Sequence, residues 1–167
     1  MCIRDRQEAG GRRIKRSIRI DLNSIRFLTP EEVERFKQFR LLENYLEEKQ
    51  AELDRYNAAI GVDSASEVNL RRLTNIGTLR AYIVNYLRHH PDIHDDMTLI
   101  VRQLQPGDDG LPIEIYCFTN DTNWVKYEGI QSDLFDHVCA IVPEFGLRLF
   151  QQPSGADVAA LAPGRHD

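Results

Sequence analysis

Two alternating strand patterns, Thr98–Leu104 and Leu111–Thr119, are separated only by Gln105-Pro106-Gly107-Asp108-Asp109-Gly110. A link this short and this rich in turn residues has no room for a crossover, so the two strands pair as an antiparallel hairpin. Everything else in the chain must be arranged around that hairpin. Downstream, Asp121 or Asn123 caps a helix whose apolar stripe is Tyr127, Ile130, Leu134, Val138 and Ile141. Pro143 to Gly146 stops it, and Leu147–Gln151 reads as a last short strand.

Upstream, Ile14, Ile18, Ile20 and Leu22 recur at spacings of two or four, and Ile25 and Phe27 resume one residue out of phase. This predicts a first strand over 14–27 with a bulge near Asn23-Ser24. Thr29-Pro30-Glu31-Glu32 supplies a hydroxyl cap, a proline at the first helical position and a glutamate at the third, a capping box. Val33, Phe36, Leu42, Leu46, Leu53 and Tyr56 continue as one stripe, which predicts a single helix of about 25 residues. Gly61 to Asn69 is a loop by composition. A second helix carries Ile76, Leu79, Ile83, Tyr86 and Leu87, is capped by Thr74 or Asn75, and ends at His90-Pro91-Asp92.

The order strand, helix, helix, strand, strand, helix, strand defines an α+β class. It predicts a ferredoxin-like split β-α-β mixed sheet with helices on one face and a long-helix elaboration of the crossover at about 30–70. One domain is expected over residues 10–152, after a non-native or disordered leader at 1–9 and before a disordered tail at 153–167. No stretch approaches the ~18 consecutive apolar residues that a membrane helix requires.

Catalytic chemistry finds little to stand on. Cys2, Cys117 and Cys139 are odd in number and lack CxxC spacing; Cys117 lies in a strand and Cys139 on a helix stripe, where buried inert thiols are the default. No phosphate-binding loop, dinucleotide fingerprint or nucleophile elbow occurs. The run His89-His90-Pro91-Asp92-Ile93-His94-Asp95-Asp96 holds metal-ligating residue types, but its spacing matches no strong zinc motif and suits a helix end. Asp108 and Asp109 lie in a wet turn, and Trp124 and Tyr127 are expected to pack on the sheet. No catalytic residue, metal or cofactor is therefore expected, and the chain is not read as an enzyme. The charge is polarised: up to Arg26 there are eight basic residues against three acidic, whereas the whole chain is at −5. Arg13, Lys15 and Arg19 suit the solvated face of a strand, so no nucleic-acid partner is expected; a free-standing ferredoxin-like module binding a ligand or nucleic acid through that strand is the competing reading.

Several blocks in order carry a family resemblance: Gly11-Arg12-Arg13-Ile14-Lys15-Arg16-Ser17-Ile18, Leu73-Thr74-Asn75-Ile76-Gly77-Thr78, His90-Pro91-Asp92-Ile93-His94, Leu99 to Leu104, Gly110 to Tyr116, Ile130 to His137 and Pro143 to Arg148. The chain resembles the cytoplasmic C-terminal region of the MscS-like mechanosensitive ion channels, in the miniconductance (YbdG-like) subgroup. The resemblance implies identical subunits in a ring, heptameric in the family, that opens under membrane tension and releases ions and solutes on osmotic downshock. It further implies a bacterial inner-membrane parent, with this part forming a wall of a cytoplasmic vestibule and the membrane reached through an N-terminal region absent here. A ring subunit needs surface beyond its own core, and the narrow stripe in the second half of the long helix supplies a candidate: Leu46, Leu53 and Tyr56 are expected to contact a neighbouring subunit or an adjacent helix rather than the sheet.

Overall fold

The computed structural model describes residues 10–61 and 70–161; the expected leader at 1–9 and most of the loop at 61–69 lie outside the described residues. Strand β1 spans Arg13–Ile20, helix α1 Pro30–Lys37, α2 Glu43–Ala59, α3 Asn75–Arg88, β2 Ile100–Gln103, β3 Leu111–Phe118, α4 Trp124–Ile141 and α5 Gly155–Ala160, with short 3-10 turns at Leu22–Ser24 and Val142–Phe145.

The hairpin forms as expected, closed by reciprocal backbone bonds between Gly107 and Gly110. Gly110 is required here twice over: its φ is +89°, and a Cβ would sit 2.5 Å from the Ile20 carbonyl oxygen. The sheet order is β1-β3-β2, with β3 antiparallel to both neighbours. The α+β class holds, but the sheet is antiparallel rather than mixed. The crossover from β1 returns β2 parallel to it, and β3 inserts between the two, so no parallel pair is ever adjacent.

Alternation builds the core. Ile14, Ile18 and Ile20 on β1 lie opposite Cys117, Ile113 and Leu111 on β3, and all six are buried. Against this face pack Ile76, Leu79, Ile83 and Leu87 of α3 and Ile130, Leu134 and Val138 of α4, in one continuous cluster. Burial pushes the Cys117 thiol up to about 12, which makes it inert.

Three expected elements differ. β1 ends at Ile20 rather than running through a bulge to Phe27: the Asp21 carboxylate accepts from the Asn23 N–H, and the Ser24 hydroxyl donates to the Asp21 carbonyl, winding 22–24 into a 3-10 turn. Phe27 returns only as a single bridge to Thr74. The long helix is two helices. In a continuous helix Phe36 and Leu42 would lie about 240° apart at ~100° per residue. Instead the chain turns between them, which seats Phe36 and Phe39 on the Phe145 ring at 5.0 and 6.2 Å and lets Asn85 donate to the Leu41 carbonyl. The last strand is a single bridge, Leu149 to Ile20, with Phe150 N–H donating to the Arg19 carbonyl. Gln151, Gln152 and Pro153 that follow have nothing apolar to bury, and proline has no donor to extend the ladder. In the tail, Ser154 and Asp157 form a capping box that starts α5, a helix with no buried residue.

The capping box at Thr29 and Glu32 is present. The Arg26 guanidinium donates to Glu32 Oε2 at 2.9 Å and holds the Glu32 carboxyl down at about 2, against a burial effect that opposes it. A carboxyl depressed in the fold contributes stability that is fully present above about 4.5 and is lost as pH falls toward about 2. Glu32→Gln should remove that share of the acid sensitivity, as read by thermal melts between those pH values.

Asn75 is fully buried and satisfied on both sides of its amide: Oδ1 accepts from the Arg26 N–H at 3.0 Å and Nδ2 donates to the Ser24 carbonyl at 2.9 Å. Asn75→Ala strands the buried Ser24 carbonyl, at about 1–3 kcal/mol, whereas the N–H of the exposed Arg26 can turn to water. Chemical denaturation should show a loss in that range with the m-value unchanged, whereas Asn75→Asp should lose the Ser24 contact alone.

Candidate interaction surfaces

The sheet face turned away from the helices is built by the other half of the alternation. On β1 it carries Arg13, Lys15, Ser17 and Arg19, which lie opposite Phe118, Tyr116, Glu114 and Pro112 on β3. β2 adds Ile100 opposite Tyr116 and Arg102 opposite Glu114. Glu114 is only 6% exposed, and Arg102 satisfies it with Nε and Nη2 both donating to Oε1 at 3.0 and 2.9 Å. Arg19 pairs with Asp109 at 3.0 Å. Arg13 lies over the Tyr116 ring at 5.8 Å, Tyr116 meets Phe118 edge-to-face at 5.7 Å, and Ile100 is 45% exposed. No ion pair engages Arg13 or Lys15 among the described residues. The surface is therefore an aromatic and aliphatic strip bearing two unpaired cations. Arg13 and Lys15 were legible as a solvated strand face; the aromatic partners follow only from the β1–β3 register.

Helix α2 is the second surface. Leu46 and Leu53 are buried within this chain, in the common core, whereas Tyr56 is 42% exposed beneath the Arg71 guanidinium at 4.5 Å. The stripe thus divides: its first two members pack inward, and Tyr56 is left on the outside with Ile60. The outer face also carries Glu43, Glu47 and Glu48, which have no ion-pair partner among the described residues, while Glu52 is engaged by Lys49 and Arg71.

The third surface is a tyrosine–histidine stack that periodicity does not reveal. Tyr82 and His137 are hydrogen-bonded at 2.8 Å between Oη and Nε2, and the Tyr86 ring stacks on His137 with centroids 4.1 Å apart and planes at 7°. His90 meets Tyr86 edge-on at the side of a cleft of ≈ 460 Å³ lined by Arg40, Leu41, Tyr82, Tyr86, His89 and Pro91 as well. The histidines of the 89–96 run do not converge. His89 donates Nδ1–H to the Asn85 carbonyl, His90 Nδ1 accepts from the Asp92 N–H, and His94 Nδ1 meets Asp96 at 3.2 Å. Among the described residues, no group of three or more His, Cys, Asp or Glu side chains is placed to hold a metal ion. Trp124, expected on the sheet, is 62% exposed; it begins α4, where Tyr127 is half-buried with its hydroxyl donating to the Arg13 carbonyl and the buried stripe starts at Ile130.

No described helix is long and apolar enough to cross a membrane. Residues 65–149, half of the chain, match the family described as Mechanosensitive ion channel MscS, C-terminal. That span runs from the approach to α3 through the hairpin and α4 to Leu149, so it contains the central strand on which β1 pairs. The chain belongs to this family of channel C-terminal domains. It is similar to the Low conductance mechanosensitive channel YnaI of Escherichia coli (strain K12), with 28% identity over 100 residues, which are 53% of this chain and 29% of that protein. The chain therefore spans less than a third of the relative's length.

Burial, with His90 nearby as a second cause, lowers the His137 pKa below its ordinary 6.5. A histidine depressed in the fold takes up its proton more readily when unfolded, so stability falls as pH drops below 6.5 and levels off below the folded pKa. His137→Gln should flatten that part of the stability–pH curve, and a two-dimensional NMR titration should show His137 protonating below 6.5 in the folded chain.

Proposed function

We propose that this chain forms a wall segment of the cytoplasmic vestibule of a mechanosensitive channel that opens under membrane tension and lets ions and small solutes leave the cell on osmotic downshock. The observation that carries the reading is the family match over a domain whose surfaces offer cation, carboxylate and aromatic groups for contact. A vestibule wall works by shape and assembly, and a hairpin-centred sheet under two packed helices is a rigid unit suited to it. In this reading the pore is supplied by membrane-spanning chain that is not among the described helices, the parent resides in the bacterial inner membrane, and identical subunits form a ring, a heptamer in the family. The blocks from Gly11 to Arg148 favour the miniconductance (YbdG-like) subgroup within it. Tyr56, the exposed member of the α2 stripe, would face a neighbour, with Leu46 and Leu53 holding α2 in place behind it.

The test is a chimera in which residues 10–152 replace the matched region of YnaI, expressed in cells lacking their own tension-gated channels. Patch recordings should show tension-activated currents, and the cells should survive dilution into low osmolarity better than cells with empty vector. A chimera that reaches the membrane at normal abundance yet gives no tension-activated current would overturn the assignment.

A further inference from the structure

We propose that the helix-free face of the sheet is covered by helix α2 of a second copy of this chain, in a head-to-tail contact that pairs Arg13 and Lys15 of one copy with Glu43, Glu47 and Glu48 of the next. The inference rests on the ring reading above and adds which surfaces meet.

The first support is charge. Every cation on this sheet face except Arg13 and Lys15 has a carboxylate partner of its own, Arg19 on Asp109 and Arg102 on Glu114. On α2 the converse holds: Glu52 is shared by Lys49 and Arg71, and Glu43, Glu47 and Glu48 are left over. Two leftover cations and three leftover carboxylates sit on different sides of one domain. The second support is placement. Helix α3 packs against β2, and Asn44, Tyr45 and Glu48 of α2 line a cleft with Ala81, Val84 and Asn85 of α3. β1 is at the far edge of the sheet, beside α4, with Arg16 over Phe135. A domain with complementary surfaces on separated sides can join its copies head to tail, and such heterologous contacts form a ring when the rotation between copies closes.

The third support is what the alternatives would cost. A two-fold meeting of two sheet faces would offer Arg13 and Lys15 no free carboxylate, because Asp109 and Glu114 on that face are already engaged by Arg19 and Arg102. An acidic helix offers them. It would also lay its aliphatic stems over Tyr116, Phe118 and Ile100, completing a helix–sheet–helix sandwich of the kind that leaves neither sheet face open.

The experiment uses the full chain at low ionic strength, followed by native mass spectrometry and sedimentation. Zero-length carbodiimide coupling should join the Lys15 peptide to the Glu47 or Glu48 peptide between copies. Lys15→Arg should abolish that coupling while leaving assembly intact, because it keeps the charge but removes the reactive amine. Reversing both cations, Arg13→Glu with Lys15→Glu, should weaken self-association roughly tenfold, as should Glu47→Lys with Glu48→Lys. Mixing the two reversed chains should restore association between them. Self-association untouched by either reversal would overturn this interface and leave the ring reading standing. A wild-type chain that stays monomeric here, in a chimera that still forms a multisubunit channel, would also overturn it. A monomer that binds anionic vesicles or nucleic acid through Arg13 and Lys15 would assign the face to a polyanion instead.

Discussion

Three segments far apart in the chain meet at Ser24 and Asn75, and the arrangement of the domain depends on that meeting. The Ser24 hydroxyl donates to Asp21 and accepts from the Arg148 N–H, its carbonyl accepts from Asn75, and Asn75 in turn satisfies Arg26. The exit of β1, the start of α3 and the return after α4 are thereby fixed to one another through buried and part-buried hydrogen bonds as well as through apolar contact. Apolar packing tolerates sliding; a buried amide bonded through both its oxygen and its nitrogen does not. The bonds tie the first turn of α3 to the exit of β1, and from there the rest of the helix is laid over the sheet.

The hairpin, α3 and α4 were legible because each rests on local physics: a turn too short to cross over, a cap hydroxyl at Thr74, a carboxamide cap at Asn123 and unbroken helical stripes. Where the reading failed, tertiary contacts had overridden local preference. The break at Gln38–Leu42 exists because Phe36 and Phe39 share the Phe145 ring from a distant part of the chain, although the six-residue gap between Phe36 and Leu42 was a visible warning. Ile25 and Phe27 fell out of phase for the reason that Asp21 and Ser24 wind a turn, not because a strand bulges. Of the interaction surfaces, the basic residues of β1 could be seen in the sequence. Tyr116 and Phe118 beside them, and His137 between two tyrosines, required the register and the packing.

If the domain forms a vestibule wall, as proposed, it must keep its shape while the pore changes. The domain meets that need by burying its chemistry: Cys117 lies within the core, Glu114 is sealed under Arg102, and Asn75 is completely enclosed. What remains outside is a division of labour between surfaces, with cations and rings on the sheet and carboxylates on α2.

The antiparallel ladder between β1 and β3 has a mechanical consequence. All eight residues of β1 face all eight of β3, and the bonds between them run across the strand axis. A pull entering at Arg12 along that axis loads the whole ladder in shear, so the bonds share the load and must fail together, whereas a sideways pull would open them one at a time. Gly11 reinforces this loading point, since its Cα lies so close to the Thr119 carbonyl that any side chain would collide with it. The first strand can therefore act as a stiff handle, passing displacement into the sheet without unravelling it.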